Sequence, residues 1–219
     1  MKPWVEVAGL NAPIEGIDPI WRREMEAVAA DTGYLSAVGD RHWAFFNRNQ
    51  PVLLVTFEVA ANIRTRKSRL PEHHALAKAN GWSELCLIAE GPTWWRDPAV
   101  YRYFDQLTDD AFLEDFDRVL FYGAGPGGYA AAAFSAAAPG AEVLLVNPRA
   151  TLDPTIAGWD HRHRHARRFC FTDRYGFAPD MTEGAGRVWL IHDPQNRLDA
   201  MHAALFQRPG HAAFRPPYR

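Results

Sequence analysis

Cysteine is scarce. Cys86 and Cys170 are the only two in 219 residues, and neither stands in a CxxC or CxxH pattern, which excludes a disulfide-stapled scaffold and a structural zinc module. A surplus of positive charge is also lacking. With 24 Lys+Arg against 26 Asp+Glu and a net charge of −2, no overall basic field is available to hold a polyanion, so nucleic acid is not an expected partner. The opening stretch MKPWVEVAGLNAPIEG has an acid at Glu6 and no apolar core of the kind a secretory leader needs, so the expected location is the cytoplasm. A membrane span is not expected either. Residues 119–141 carry no charge, but they hold five glycines, two prolines and nine alanines, a mixture that reads as buried strand, turn and small-residue helix rather than a bilayer crossing. What is present is 47% hydrophobic and 13% aromatic content, enough to fill a core. The length suits one α/β domain over 1–219.

The chain shows no internal repeat and no low-complexity linker. Residues 18–30 predict an amphipathic helix, with Asp18 as N-cap, Pro19 at the first position and Gly33 just beyond the end. HWAFF and PVLLVTFEV, joined at NRNQ, predict an antiparallel hairpin whose second arm, 51–59, enters the core. Strand and helix then alternate: helix at 71–80, strand at 84–90, helix over 98–117, strand at 117–122, a glycine turn, an Ala-rich helix to about Ala138, and strand at 142–146. After a long irregular stretch come strand 187–193, helix 198–206 and a last strand drawn from HAAFRPPYR. This alternation predicts a mostly parallel sheet covered on both faces, with ligands at the carboxyl ends of the strands.

The most informative segment is RVLFYGAGPGGYAAAA, 118–133. Gly123, Gly125 and Gly128 fit GxGxxG between a strand and a helix, the context of a dinucleotide-binding turn. That reading wants an acid at the end of the next strand, where Asn147, Pro148 and Arg149 stand instead. The same letters, Gly123-Ala124-Gly125-Pro126-Gly127, also have the frame of a nucleophile elbow, G-x-S-x-G, with glycine in place of the serine. The order of the other elements favours the elbow. A hairpin comes first, the parallel strands follow, a long insertion separates EVLLVNP from VWLIHDP, and Asp193 follows the latter strand where a triad acid belongs.

On these features residues 45–206 resemble the α/β-hydrolase superfamily. More narrowly, GWSELCLIAEGPTWWRDPAVYRYFDQLTDD, FYGAGPGGYAAAAFSAAAPGA, TLDP, FTDRYGFAPDM and LDAMHAALF resemble a group of alphaproteobacterial hydrolase-like proteins often labelled phosphoadenosine phosphosulfate reductase. That chemistry needs a phosphate-binding loop after the first core strand and a reactive cysteine near the C-terminus. TFEVAAN stands at the first place, and no cysteine follows Cys170. The resemblance also implies a cysteine at position 127 in close relatives, which Gly127 removes here.

The resemblance implies a three-layer αβα sandwich of α/β-hydrolase type, with an N-terminal antiparallel hairpin and a cap-like insertion at 150–186. Of the catalytic triad only the acid, Asp193, is in place. His211 would fall at the wrong end of the last strand, and His202 lies inside a helix. Serine-hydrolase activity is therefore not expected. The expected function is binding of a small, anionic molecule by a hydrolase fold without its nucleophile, over Gly123, Gly125, Pro126, Gly127 and Gly128, flanked by Phe57, Glu58, Trp94 and Asp153, where a helix N-terminus attracts anions. The alternative is a nucleotide-using enzyme of Rossmann type. No cofactor and no metal site are expected. Asp160-His161-Arg162-His163-Arg164-His165 reads as a solvated insertion loop, or else an anion or partner patch, whose arginines repel a cation, and Phe169, Phe171, Tyr175, Phe177 and Met181 read as a lid lining an apolar pocket or, more simply, as a small satellite core.

Overall fold

The computed structural model describes residues 18–49 and 51–207, and the backbone of 211–214. Eight helices and eight strands carry this part of the chain: α1 Pro19–Ala29, β1 Gly33–Val38, β2 His42–Asn47, β3 Val52–Val59, α2 Ala60–Thr65, α3 His74–Asn80, β4 Ser83–Ala89, α4 Pro98–Asp109, β5 Arg118–Ala124, α5 Pro126–Phe134, β6 Glu142–Val146, α6 Pro154–Ala157, α7 Ala178–Met181, β7 Arg187–Ile191, α8 Arg197–Leu205 and β8 His211–Phe214. Local signals act as the sequence predicts. Asp18 accepts from the Ile20 N–H at 2.9 Å and Pro19 opens α1, while Gly81 closes α3 at φ 67.

The strands form one sheet in the order β1-β2-β4-β3-β5-β6-β7-β8. β3, β4, β5, β6, β7 and β8 run parallel to their neighbours in that series, and only β2 is antiparallel to both of its partners. The hairpin expected between 42–47 and 51–59 is corrected here. β2 pairs with β1, through a three-residue loop opened by Gly39 at φ 68, and β4 lies between β2 and β3. β1, GYLSAV, carries no strand signal in the sequence because its half-polar letters lack a clear alternation; its burial is graded rather than period-two. β3 and β4 read as apolar runs because both faces of the sheet are covered there.

On one face, Leu53, Val55 and Phe57 of β3, Leu85 and Leu87 of β4, Phe121 of β5 and Leu145 of β6 pack under α4 and α5. Phe57, Phe104 and Phe134 stack with centroids 4.4–6.0 Å apart. On the other face Trp21, Met25 and Ala29 of α1 meet Trp43, Phe45, Cys86, Ile88 and Ile63. Cys86 is buried and Cys170 exposed, and both are free thiols. No helix among the described residues is long and apolar enough to cross a membrane.

The segment between β6 and β7 departs from the expected satellite core. Phe171, Tyr175 and Ala178 belong to the main apolar cluster, with Phe169, Phe177 and Met181 against it. The cause lies in α5, whose Ala130–Ala133 side chains are too small to fill the space above them. The aromatics of the insertion supply the missing volume: Phe171 lies 5.4 Å from Tyr129, and Tyr175 4.7 Å from Phe134.

Candidate functional site

β5 ends and α5 begins in a single tight turn. Gly125, between them, has φ 54 and ψ −119, a conformation that a residue with a side chain adopts only under strain. Its N–H donates to the Val146 carbonyl at 2.9 Å and its carbonyl accepts from Tyr129 N–H at 3.2 Å, so the apex is fastened to β6 and to its own helix. The flanking glycines are obligatory. A Cβ at position 123 would overlap the Gly127 carbonyl, and one at 127 would come 2.7 Å from the Phe57 carbonyl oxygen. At 125 itself a Cβ meets nothing within 4 Å. The turn therefore has the shape of an elbow that lifts one residue clear of the sheet, and the residue lifted is glycine. Position 127 faces the backbone of β3, so it is not where this chain could offer a thiol to the crevice.

The oxyanion donor that an elbow normally supplies, the N–H of the residue after the nucleophile, is also missing, because that residue is Pro126. Pro126 leaves only the first-turn N–H groups of Gly127 and Gly128 without an intrahelical acceptor.

Asp193 lies just past β7. Its N–H donates to Asn147 Oδ1 at 3.1 Å, and its carboxylate accepts from Gln195 N–H at 2.8 Å, closing the turn into α8. His211 pairs in register with Val188 at the amino end of β7. At about 3.3 Å per residue the two positions are about 16 Å apart along the strand. His202 is not a free base either. It is fully buried, its Nδ1 accepts from Ala150 N–H at 3.1 Å, and its Nε2 lies 3.1 Å from Asp160 Oδ2.

The other residues singled out in the sequence are distributed around the elbow rather than gathered into it. Phe57 stacks in the core and contributes its backbone carbonyl. Glu58 accepts from Arg66 at 2.6 Å and from Glu72 N–H at 2.8 Å. Asp153 caps α6 by accepting from Thr155 N–H and Oγ1. Trp94 is 2% exposed and packs edge-on against Tyr129, His163 and Phe171 at 6.0, 4.9 and 6.3 Å. It belongs to the elbow's surroundings, and its backbone is unusual: Trp94 and Trp95 have φ 58 and 53 in succession. The strained pair is held by Thr93, whose Oγ1 accepts from Trp95 N–H at 3.2 Å and meets His42 Nε2 at 2.7 Å, and by the Trp95 indole donating to Leu87 O at 3.0 Å.

The structure adds residues that sequence patterns did not flag. Arg96 is almost wholly buried and fastens the insertion to the core; its partners are the carbonyls of Cys170 and Arg174, the Tyr129 hydroxyl and the Asp173 carboxylate. Asp160 corrects the reading of 160–165 as solvated. Asp160 is buried and pairs with Arg162 at 2.7 Å, and both join Arg149, Asp199 and His202 in one network. His161, Arg162, Arg164 and His165 are exposed, as expected. These partners lie far apart along the chain, and only the adjacency of β6 to β7 brings them together.

Burial pulls the His202 pKa down to about 4 against the opposing pull of Asp160, and burial likewise pulls His42 down to about 4 despite Asp97. Both rings are neutral in the folded chain at pH 7 and take up a proton near 6.5 once unfolded. The unfolded state then binds more protons, so stability falls as pH drops from about 6.5 to about 4, by roughly 3 kcal/mol per ring. Urea denaturation at pH 7, 5.5 and 4.5 reads this directly. A flat profile would mean that the two rings accept protons inside the fold.

Among the described residues no group of three or more His, Cys, Asp or Glu is placed to hold a metal ion. A cavity of about 510 Å³ opens at the other edge of the sheet, near Leu107, Phe116, Arg118 and Pro139, by the amino ends of β5 and β6 and away from the elbow.

No family model matches the chain, and no curated protein matches it. Solved structures do. A protein from Silicibacter sp. assigned as a thioesterase superposes with a TM-score of 0.55 at 16% identity, covering 94% of this chain and 87% of its own. The capsule O-acetyltransferase of Neisseria meningitidis serogroup A gives 0.53 at 9% identity, over 80% and 82%. An esterase from the fungus Rhizomucor miehei gives 0.50 at 11% identity, over 96% and 83%. The chain has an α/β fold of the hydrolase type. Its strand order is not the 3-2-1-4-5-6 of the dinucleotide-binding fold.

Proposed function

We propose that this chain is a hydrolase-fold protein that binds a small anionic molecule at the carboxyl edge of its sheet without hydrolysing it. The observation that carries this reading is the apex itself. Gly125 holds the strained elbow conformation with open space where a nucleophile would project, and Pro126 withdraws the adjoining N–H. Attack needs a nucleophile and a base to take its proton, and stabilisation of the product oxyanion needs donors aimed at it. His202 is committed to Asp160 and the Ala150 N–H, the His211 backbone pairs at the amino end of β7, and Asp193 accepts from Gln195 N–H in a turn. What the site retains is the start of a nine-residue helix, with its orphan N–H groups and favourable dipole. The neighbours' names, esterase, thioesterase and O-acetyltransferase, point to acyl compounds as the first ligands to try.

The test has two arms. Assayed with p-nitrophenyl acetate, p-nitrophenyl butyrate and an acyl thioester, the protein is expected to give no turnover above buffer. Saturable turnover that Gly125→Leu abolishes would overturn the reading. In thermal-shift titrations small acyl anions are expected to raise the melting temperature, and Gly125→Leu, which fills the open space above the apex, is expected to remove that response. NADPH and FAD are expected to leave the melting temperature unchanged.

A further inference from the structure

Three buried nitrogen atoms between the elbow helix and the insertion have no hydrogen-bond partner: Trp94 Nε1, Arg149 Nε and His163 Nε2. The Trp94 and His163 rings are 4.9 Å apart, Trp94 packs on Tyr129 of α5, and the Arg149 charge acts on His163. Burial first, and then the Arg149 charge, lower the His163 pKa, so this imidazole is neutral and one of its nitrogens carries a proton to donate.

An unsatisfied buried donor costs free energy, and folded proteins leave few of them. Indole and guanidinium nitrogens only donate, so the group missing from this niche is an acceptor. With the ring proton of His163 on Nε2, three donors face the niche; a single water molecule has two acceptor sites and cannot serve all three, whereas a carboxylate offers four lone-pair sites on two oxygens. The nearby charges balance, Arg149 and Arg162 against Asp160 and Asp199, and Arg149 Nε stands 3.8 Å from Asp160, beyond hydrogen-bond reach. One guanidinium N–H is therefore spare for a charge-assisted bond.

We propose that this niche, beside the elbow, is the carboxylate-binding end of the ligand site: one carboxylate of a small organic acid accepts from Trp94 Nε1, Arg149 Nε and His163 Nε2, and its hydrocarbon part meets the aromatic surroundings of Trp94. The proposal deepens the preceding reading and rests on it, since it names the chemistry of the same ligand. It is a binding step only; no bond is made or broken.

The experiment uses the whole 219-residue chain and titrates benzoate and octanoate against benzamide and octanamide by calorimetry. Wild type is compared with Trp94→Phe, which keeps a ring and deletes one donor, and with Gly125→Leu. The carboxylates are expected to bind saturably and the amides at least tenfold more weakly. Trp94→Phe is expected to weaken the carboxylates about tenfold and leave the amides unchanged, with far-ultraviolet circular dichroism confirming the fold. If Gly125→Leu abolishes binding and Trp94→Phe does not weaken it, the elbow reading stands and the niche falls. If Trp94→Phe weakens binding and Gly125→Leu leaves it intact, the niche stands as a carboxylate site away from the apex and the elbow reading falls. Carboxylates that fail to saturate at millimolar concentration, or a crystal structure in benzoate with only ordered water at Trp94 Nε1, would overturn the proposal.

Discussion

Arg96→Leu is expected to lose about 2–5 kcal/mol of stability, at roughly 1–3 kcal/mol for each buried acceptor left without its donor. The guanidinium is 2% exposed in its side chain and lies between the Tyr101 and Phe171 rings, 5.1 and 5.4 Å from their centroids. Its donors serve four groups, three of them on the insertion: the Cys170 carbonyl at 2.8 Å, the Arg174 carbonyl at 2.8 Å and the Asp173 carboxylate. The fourth is the Tyr129 hydroxyl on α5, at 3.1 Å. Leucine replaces much of the apolar stem but leaves the carbonyls without donors, so the loss comes from unmet polar groups rather than from a cavity. Asp173 is half exposed and adds little, because water solvates it when the pair is broken. Arg96→Lys is expected to recover only part, since one ammonium cannot span acceptors set on both sides of a planar fork. The insertion should also detach before the sheet unfolds. Limited proteolysis between residues 158 and 176, at a temperature where circular dichroism is still native, would show this; a variant that unfolds in one step with a wild-type midpoint would show that Arg96 is not the anchor.

The second large effect separates two glycines of one turn. Gly123→Ala is expected to cost more than about 4 kcal/mol or to prevent folding, because its Cβ would overlap the Gly127 carbonyl and neither backbone segment can retreat without parting β5 from α5. Gly125→Ser meets no atom. Its cost is the backbone strain of a side chain at φ 54, on the order of 1–3 kcal/mol, so the variant should fold, with a melting temperature lowered by several degrees. It is nonetheless expected to remain inactive on p-nitrophenyl butyrate, since Pro126 still provides no N–H beside the new hydroxyl. Equal melting temperatures for the two variants would mean that the elbow geometry is not as described.

Much of the architecture was legible because its signals are local. The helix with Asp18 as cap, the strands EVLLV and RVWLI, and the turn after DRVLFY are each announced by caps, apolar runs or glycine spacing within a few residues. The glycine at the apex of the turn, Gly125, was legible in the same way. The hairpin was misassigned because pairing is a relation between segments: NRNQ looks like a turn, but nothing in it says that β4 will enter between its arms. Asp160 reads as solvated for a similar reason. An interleaved run of His and Arg resembles a surface loop until Arg149, Asp199 and His202 arrive from elsewhere. Arg96 gave no signal at all, since one arginine after two tryptophans has no periodicity to betray burial.

The amino-acid order alone determined which groups the turn itself lacks. Position 125 has no side chain and position 126 no amide proton, and these covalent facts hold in any conformation. The tertiary structure decided which groups meet: the sheet sets His211 at the far end from Asp193, commits His202 to Asp160, and gathers Trp94, His163 and Arg149 beside α5. The physical reason is range. Chemical identity and local backbone preference are properties of a few adjacent residues, whereas burial, partnership and unmet hydrogen bonding depend on distant segments that only packing brings into contact.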